Sequence, residues 1–557
     1  MTAGMQVDIN VFGDDETDYG ILSHRWNDTE VNYEEMVDLA KMGEQKIKEI
    51  RGRAGYKKIL DTCEQARKDG YEWVWVDTCC IDKRSSAELS EAINSMYRWY
   101  ANAKACYAYL HDVDGSSFPT EKDDEKYQEW NGWPEWFSRG WTLQEMIAPS
   151  DVQFFNENWQ SIGSKMMLAG TLATITRVST HILTDGLDGN RPCVARIMSW
   201  AANRTTTRIE DRAYSLMGLL DVKMPMLYGE GKMAFHRLQL EIIRSSNDQS
   251  IFAWGWTSPK VGIGSVLADD PSCFKDCSGM ILVDNDEFIM ERSKFPKLRS
   301  MDANKFGVFA NTNRGIQIWM LLCAYRESKS VFRAYLPCLS GISLVSIDLV
   351  LWNSNYYRYS NVWKTANSNS AEFRQVYLRY QDTLNYTVTF DIDDSGITEN
   401  GFTCSNEVPA EHAGNKFTLT NANPFCVKTY SEQQGNSCFK VVFGQCLGLD
   451  WVHLYYDFSL RTASLVDSEA SIAQGPDWAS AMSDAPSRHY FGSDPLWIRH
   501  FSLPGSSLVV RVYRMVRVGP KVIVRMEVFQ DSRFQSGPDE WKAYSVEVCD
   551  FIVHMDY

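Results

Sequence analysis

Hydrophobic and polar positions follow a strand-and-helix pattern over the first part of the chain. Short apolar runs alternate with longer stretches in which apolar residues recur every three or four positions. The predicted strands are YGILSH (19–24), YEWVWVD (71–77), CYAYLHDV (106–113) and DVQFFN (151–156). The predicted helices are 32–50, 55–70, a helix with an apolar stripe from Leu89 to Tyr100, and 139–148. Helices of this length between strands predict βαβ crossovers and a doubly wound, flavodoxin-like parallel sheet.

The pattern changes twice further along the chain. From 161 to 260 it is mainly helical, and SIFAWGW (250–256) predicts a returning strand that closes the unit. Beyond about residue 260 the period becomes two, from IQIWMLL (316–322) to AYSVEVCDF (543–551), with Gly, Asn, Ser and Pro between the segments. This spacing is typical of antiparallel sandwiches. We expect an α/β plus all-β protein with three regions: an α/β core (1–160), a helical extension (161–260) and one or two sandwiches (261–557).

Composition narrows the classes of function. At 557 residues the chain is too long for one core, since a domain takes about 150 residues. The net charge is −16, and no sustained Lys/Arg run is present, which disfavours nucleic-acid binding. The longest apolar runs, such as IWMLLCAY (318–325), are far shorter than a membrane span. The N-terminus lacks the features of a signal peptide, and the 14 cysteines show no disulfide framework, so we expect a cytoplasmic protein.

The common catalytic motifs are absent from the sequence. There is no phosphate-binding GxxxxGK[ST] loop, GxGxxG, HExxH, paired CxxC or GxSxG, and the nine histidines form no metal-binding cluster with the cysteines. Open parallel sheets bind ligands beyond the carboxyl ends of their strands. The candidate site residues are therefore those that follow the predicted strands.

Two glutamates lie at the start of the helix after strand 71–77. Glu88 and Glu91 are one turn apart and avoid the apolar stripe. A helix N-terminus favours an ionised carboxylate, which beneath a ligand crevice could bind ribose hydroxyls or stabilise an oxocarbenium-like centre. Ser85 and Glu88 also fit a capping box, which would explain Glu88 structurally. The two roles are not exclusive.

Polar residues end the first two strands. Ser23, His24, Arg25 and Trp26 would line the mouth of a crevice with hydrogen-bonding groups, a cation and a stacking ring. The alternative is a loop whose Trp covers the edge of the core. Asp77 either orients a site residue or accepts backbone N–H groups in its turn.

Two further groups of candidates follow. Cys79 could be a nucleophile, but no partner His can be assigned, and a buried small hydrophobic residue is the better interpretation. The stretch RGWTLQE places Arg139, Trp141 and Glu145 at a helix start. Thr142 and Glu145 match a capping box there as well, so structure alone would explain most of this stretch.

Several ordered blocks resemble the fungal heterokaryon-incompatibility (HET) domain. They are YGILSHRW, WVDTCCIDKRSSAELSEAINSMYRWYANAKACYAYLHDV and SRGWTLQEMIAP, and a later stretch, SWAANRTTTRIEDRAYSLMGLLDVKMPMLYGEGKMAFHRLQLEII, resembles the segment that follows in one subgroup. The resemblance covers roughly residues 1–256. It implies a role in non-self recognition, in which incompatible cell fusion triggers programmed cell death. HET domains have been likened to TIR domains, many of which cleave the nicotinamide–ribose bond of NAD⁺ with a helix-borne glutamate.

The resemblance also implies roles for individual residues. The family has a Glu eight residues before a Met in this helix, and Glu88 and Met96 hold those positions. Glu88 is therefore the expected catalytic residue and Glu91 the reserve. The expected nucleotide pocket contains residues 23–26, Asp77, Cys79 and the 139–145 turn. Asn27 departs from the family, since many members have Gly there.

The resemblance leaves two functions open. One is a TIR-like NAD⁺ hydrolase that works as a homo-oligomer, with NAD⁺ as substrate and neither cofactor nor metal, because nicotinamide already carries positive charge and departs neutral. The other is a non-enzymatic module that self-associates and recruits a death effector. For the β-rich region we expect an inhibitory or ligand-sensing role.

Overall fold

A five-stranded sheet forms the centre of the N-terminal region in this computed structural model. The structure describes residues 9–13, 17–189, 191–257, 262–284, 287–288, 307–324, 331–352, 354–360, 371–380, 387–408, 414–420, 425–432, 438–446, 449–455, 500–502, 508–518 and 521–530. The strands of the first sheet are β1 (Tyr19–His24), β2 (Trp73–Trp75), β3 (Ala105–Tyr109), β4 (Val152–Phe155) and β5 (Ser161–Ser164). Their order is β2-β1-β3-β4-β5, with the first four parallel and β5 antiparallel to β4.

Helices cover both faces of this sheet. They are α1 (Tyr33–Asp38), α2 (Glu44–Arg51), α3 (Ala54–Lys68), α4 (Ser86–Asn102) and α5 (Thr142–Ile147). On one face Ile21 packs in the same core as Ile93 of α4 and Leu143 of α5. On the other face Leu22 packs with Ile59 of α3. Successive strand residues point to opposite faces, so β1 is buried on both sides. The predicted α/β class of the N-terminal region, with its parallel strands, is confirmed.

Two elements of this region differ from the prediction. The apolar run 71–77 was expected to form a strand buried on both faces, but β2 lies at the edge of the sheet and is half-buried. Its rings cover that edge instead, since Trp75 packs against Trp99 with ring centroids 5.3 Å apart. The predicted helix 32–50 is interrupted by a 3₁₀ turn at Leu39–Lys41 and by Gly43, which is the N-cap of α2.

The segment that follows is helical, as predicted, but one expected strand is absent from it. Its helices are α6 (Lys165–Thr176), α7 (Thr180–Asp185), α8 (Val194–Trp200), α9 (Asp211–Tyr214) and α10 (Met233–Ser245). The strand predicted at 250–256 is wrong, because Gln249–Phe252 forms a 3₁₀ turn capped by Asp248, which accepts from the Ser250 N–H at 2.8 Å. The turn buries Ile251 and Phe252 without any strand pairing. Of the helices that the structure describes, none has the length and apolar character required to cross a bilayer.

A second sheet closes on itself. Its strands are β6 (Gly262–Gly264), β7 (Met280–Leu282), β8 (Ala310–Thr312), β9 (Gly315–Ala324), β10 (Val331–Ser340), β11 (Ser343–Trp352), β12 (Asn355–Ser360) and β13 (Glu372–Leu378). Strand β9 pairs with both β13 and β10, so β10-β11-β12-β13-β9 forms a closed ring of strands. The single parallel pairing in this ring joins β12 to β13. The antiparallel sandwich expected here is thus wrong for this stretch, because alternation along a strand does not show which partner it pairs with.

The last part of the described chain contains two further sheets. Its strands are β14 (Val388–Asp394), β15 (Phe402–Val408), β16 (Lys416–Leu419), β17 (Phe425–Glu432), β18 (Cys438–Cys446), β19 (Leu449–Tyr455), β20 (His500–Ser502), β21 (Leu508–Val518) and β22 (Lys521–Gln530), with a short helix α11 (Ser395–Thr398). The orders are β16-β14-β22-β21-β20 and β15-β17-β18-β19. Both sheets contribute to one core, in which Phe390 and Phe417 meet Phe443. The β-rich class is confirmed for this region, while the predicted strand at 543–551 lies outside the described residues.

One hydrophobic core crosses from the α/β region into the closed sheet. It contains Ile21 of β1, Val194 of α8 and Leu378 of β13. The buried guanidinium of Arg358 on β12 strengthens this junction, because it donates to the backbone carbonyls of Phe252 (2.6 Å) and Trp254 (2.7 Å). The last two sheets have a separate core. The packing therefore joins the chain up to about residue 380 into one body.

This packing predicts how truncated chains behave. A chain ending at Thr257 would expose the apolar side chains that pack against the closed sheet, at about 25 cal/mol per Å² of apolar surface. We expect it to aggregate or to melt without a cooperative transition. A chain ending at Tyr380 keeps that core and should show a cooperative transition. Thermal unfolding followed by circular dichroism checks both, and a cooperative melt of the shorter chain would contradict the shared core.

Candidate functional site at the carboxyl edge of the parallel sheet

The end of β1 meets α5 through a buried carboxyl group. The Ser23 hydroxyl donates to Glu145 Oε2 at 2.5 Å and accepts from the indole N–H of Trp136 at 2.8 Å. The Tyr100 hydroxyl donates to the carbonyl of Leu22 at 2.9 Å and also interacts with Glu145. Ser23, Tyr100, Trp136 and Glu145 are all buried. This cluster, called the Ser23–Glu145 cluster below, ties the strand end to the helix.

Glu145 is held in its neutral form. Burial is the main cause that raises its pKa, and the charge of Asp77 adds to it. The hydrogen bonds from Ser23 and Tyr100, together with the charge of Arg139, act in the opposite direction, and the pKa comes to about 8. A carboxyl group with such a pKa is mostly protonated at neutral pH. It can then donate a proton as well as accept hydrogen bonds.

Asp77, after β2, lies beside His24 and Trp26. Asp77 Oδ1 is 3.0 Å from His24 Nε2, and Asp77 Oδ2 accepts from the indole N–H of Trp26 at 2.8 Å. Burial acts to raise the pKa of Asp77, but its contacts with His24, the charge of Lys83 and the Trp26 N–H outweigh burial and lower it. Asp77 is therefore ionised. Trp26 is 41% exposed and carries the Lys83 ammonium 3.5 Å from its ring centroid, so this side of the site faces solvent.

Glu30 and Lys58 form a further ion pair next to His24, with Glu30 Oε1 2.5 Å from the ammonium of Lys58. The Nδ1 atom of His24 is 3.9 Å from the same oxygen. Burial lowers the pKa of Lys58, and Glu30 opposes that effect. Neither residue is predictable from the sequence, because Glu30 lies just before the predicted helix 32–50 and Lys58 lies within the predicted helix 55–70, away from the strand ends.

The remaining basic residues of the expected pocket form contacts of their own. Arg25 Nε donates to Glu135 Oε1 at 2.6 Å, and His111 is 3.6 Å from the other oxygen of Glu135. Arg139 donates to the hydroxyl of Thr207 at 3.0 Å. Burial, and then the charge of Arg25, lower the pKa of Arg139. Trp141 is half-buried at the start of α5.

The capping box expected at Thr142 is wrong. Thr142 is the first residue of α5, and its hydroxyl donates to the carbonyl of Trp136 at 2.6 Å. The side chain of Glu145 is engaged by Ser23 rather than by the helix start. The buried Arg204 connects this turn to α8, because its Nη1 donates to the Arg139 carbonyl (2.7 Å) and to the Thr142 hydroxyl (3.0 Å).

The structure does not bring Glu88 into this cluster. Ser85 is the N-cap of α4 and accepts from the Glu88 N–H at 3.2 Å, while Glu88 Oε1 accepts from the Asp82 N–H at 2.8 Å. Both Glu88 and Glu91 are exposed. Within the described chain, neither shares a hydrogen bond or ion pair with the Ser23–Glu145 cluster or Asp77. The geometry of Glu88 is thus that of a capping residue.

Cys79 lies in the core that α3 covers and is 4% exposed. A hydrogen bond with Cys80, together with burial, raises the pKa of its thiol well above the usual value. A thiol in this position is a poor nucleophile.

Sequence reasoning missed three participants. Tyr100 was counted as part of the apolar stripe of α4, although a buried Tyr hydroxyl usually has a hydrogen-bond partner. Trp136 and Arg204 do not follow a predicted strand, so neither was a candidate site residue. Their contacts to Ser23 and Thr142 span 113 and 62 residues, a separation over which no local pattern acts.

Comparison with known proteins shows what this region is similar to. Residues 19–145 match the family model described as "Heterokaryon incompatibility protein (HET)", and this matched segment is called the HET domain below. This segment runs from the start of β1 to Glu145. Residues 233–277 match a domain of unknown function, DUF8212.

One relative is Vegetative incompatibility protein HET-E-1 of Podospora anserina, which is 36% identical over 313 residues. The match covers 55% of this chain but 21% of that protein, so the chain spans about a fifth of its relative. Among solved structures, a lectin of Xerocomus chrysenteron matches 26% of this chain and 99% of its own, at 12% identity. The TM-score is 0.19, which is too low to indicate a common fold.

The buried carboxyl group predicts a pH-dependent stability. The pKa of Glu145 is about 8 in the fold against 4.5 for the free side chain, so between these values the unfolded chain releases a proton that the folded chain keeps. Rising pH therefore favours unfolding, by about 1.4 kcal/mol for each unit of pKa difference. Glu145→Gln removes this effect and keeps an acceptor for Ser23. We expect the melting temperature of the variant relative to the parent to rise between about pH 5 and pH 8.

The matched control is Glu91→Gln, which changes an exposed carboxylate on α4. Its melting temperature relative to the parent should be the same at both pH values. A Glu145→Gln variant that behaves like this control would show that Glu145 is ionised in the fold.

Proposed function

We propose that this protein acts in heterokaryon incompatibility, with the HET domain as the part that triggers cell death. The HET match over residues 19–145 supports this assignment. So does the 36% identity to a protein whose name is vegetative incompatibility protein. The chain spans only 21% of that relative, so the trigger and the partners of the relative are not carried over to this protein.

The reaction we propose is cleavage of the nicotinamide–ribose bond of NAD⁺, as in TIR-like hydrolases. The observation that carries it is a pair of carboxyl groups at one sheet edge in opposite states, with Asp77 ionised and Glu145 protonated. Environments that push two carboxyl pKa values apart are characteristic of acid–base and glycoside-cleaving sites. The exposed ring of Trp26 would stack on a base, and Lys83 and Arg25 would face the phosphates.

Asp77 is the carboxylate that the geometry favours for this reaction. The bond between C1′ of the ribose and the ring nitrogen of nicotinamide breaks, nicotinamide leaves with the bonding electrons, and water adds to C1′ with loss of a proton. An ionised carboxylate beside the ribose stabilises the positive charge that develops at C1′. Asp77 lies among Trp26, His24 and Lys83, whereas Glu88, the residue that the family resemblance favours, lies on the outer surface of α4.

A second function is favoured by the enclosure of the Ser23–Glu145 cluster. Ser23 is 0% and Glu145 6% exposed, and their polar atoms bond to one another and to Trp136. Groups satisfied in this way can serve folding alone. The HET domain would then be a non-enzymatic module that self-associates and recruits a death effector.

Nicotinamide release from NAD⁺ distinguishes the two functions. We expect the full chain to release nicotinamide and Asp77→Asn to lower kcat by about 100-fold or more, as loss of a charge-stabilising group does. Glu125→Gln, which changes an exposed carboxylate outside the candidate site, is the control and should be unaffected. Melting temperatures are measured in parallel, and Asp77→Glu tests whether the charge alone restores turnover.

Two results would change the assignment. A loss of kcat in Glu88→Gln with normal turnover by Asp77→Asn would give the catalytic role to Glu88, as the resemblance implies. If the folded parent releases no nicotinamide in either its monomeric or its assembled form, the enzyme proposal fails and the self-associating module is favoured.

A further inference from the structure

A groove lies between the segment before α5 and the carboxyl ends of α6 and α8. Its lining does not include Ser23, His24, Asp77 or Glu145. It has a volume of about 200 Å³. The lining residues come from the segment before α5 and from the carboxyl ends of α6 and α8, and they include Trp130, Trp133, Phe137, Trp200 and Arg204.

Two buried side chains of this lining have N–H groups without partners. Arg204 is 4% and Trp200 3% exposed. In the part of the chain that the structure describes, Arg204 Nη2 and Trp200 Nε1 have no hydrogen-bond acceptor. A buried donor left unpaired is costly, and such groups are rare in folded proteins.

Arg204 is also a buried positive charge. Burial lowers the pKa of its guanidinium to about 9, and Glu145 acts in the opposite direction. Glu145 is itself mostly protonated at neutral pH, so it supplies little negative charge. The other contacts of Arg204, to the Arg139 carbonyl and the Thr142 hydroxyl, are with neutral groups. A bound anion would stabilise a buried cation in this situation.

The rest of the lining is aromatic and polar in composition. Trp130 and Trp133 are half-buried, and Phe137 is buried. Asn203 and Thr174 add amide and hydroxyl groups at the margin. Indole rings provide stacking surfaces for a planar ring such as a nucleobase.

We propose that this groove binds a nucleoside monophosphate, with its phosphate at Arg204 and Trp200 and its base against Trp130 and Trp133. The free edge of a guanidinium and an indole N–H offer several donors, which suit the three terminal oxygens of a phosphate monoester. The proposal is independent of NAD⁺ cleavage at the sheet edge. Of the groove residues, Arg204 bonds to the turn that begins α5, through the Arg139 carbonyl and the Thr142 hydroxyl, and not to Asp77.

The test is calorimetric titration of the full chain with AMP, with adenosine as the uncharged analogue. AMP should bind, and adenosine at least about 10-fold more weakly, since it lacks the charge-assisted hydrogen bonds. Trp200→Phe removes the unpaired N–H and should weaken AMP binding by about 10-fold. Loss of that unpaired N–H stabilises the fold and the smaller ring destabilises it, so AMP affinity is compared only after a cooperative melt shows that the variant is folded.

Trp254→Phe is the matched control. Its indole N–H donates to the Val266 carbonyl at 2.8 Å, away from the groove, so this variant should melt at a lower temperature and bind AMP normally. Asp77→Asn should also bind AMP normally, which separates the groove from the sheet edge. Arg204→Lys keeps a charge but loses the planar fork, and it should weaken AMP binding as well.

Four results would overturn the proposal. The first three are absence of AMP binding by the full chain, equal affinities for AMP and adenosine, and loss of AMP binding in Asp77→Asn. The fourth is normal AMP affinity in both folded groove variants, which would place the ligand elsewhere.

Discussion

The HET domain depends on one buried hydrogen bond, between the Ser23 hydroxyl and the Glu145 carboxyl group at 2.5 Å. It joins the carboxyl end of β1 to the first turns of α5, two segments that are 122 residues apart. Burial favours the neutral form of Glu145, whereas the hydrogen bonds from Ser23 and Tyr100 favour the ionised form. The contact that holds α5 against the strand end is therefore coupled to the protonation of one carboxyl group.

Local signals predicted the elements of the fold well. YGILSH became β1 with the predicted bounds, and the apolar stripe from Leu89 to Tyr100 became one side of α4. These local signals failed where a residue is buried by partners that are distant in the sequence. Tryptophans made 71–77 look central although it is an edge, and two fully buried residues made 250–256 look like a strand although it is a turn. Closure of the second sheet depends on β9 finding two partners, which no period encodes.

The candidate site was also predictable only in part, because some of its contacts join residues that are distant in the sequence. The rule that ligands bind at the carboxyl ends of parallel strands led to Ser23, His24, Asp77 and Glu145, which lie together; their role in binding stays a prediction. Glu88 matched two patterns, a capping box and a family motif, and its contacts are those of the cap. Arg204 carried no pattern at all, yet it bonds to the turn that begins α5 and lines the groove. One guanidinium thus links the turn that begins α5 to the groove, through a contact between residues 62 apart in the sequence.

The separation of the two hydrophobic cores bears on how such proteins diversify. The first core ends at Leu378 and the second begins at Val388. A genetic crossover between those positions would exchange the last two sheets for an unrelated sequence while sparing every side chain around Arg358. A crossover near residue 260 would instead pair mismatched halves of one interior. Recombination among relatives should therefore leave its breakpoints after the closed sheet rather than before it.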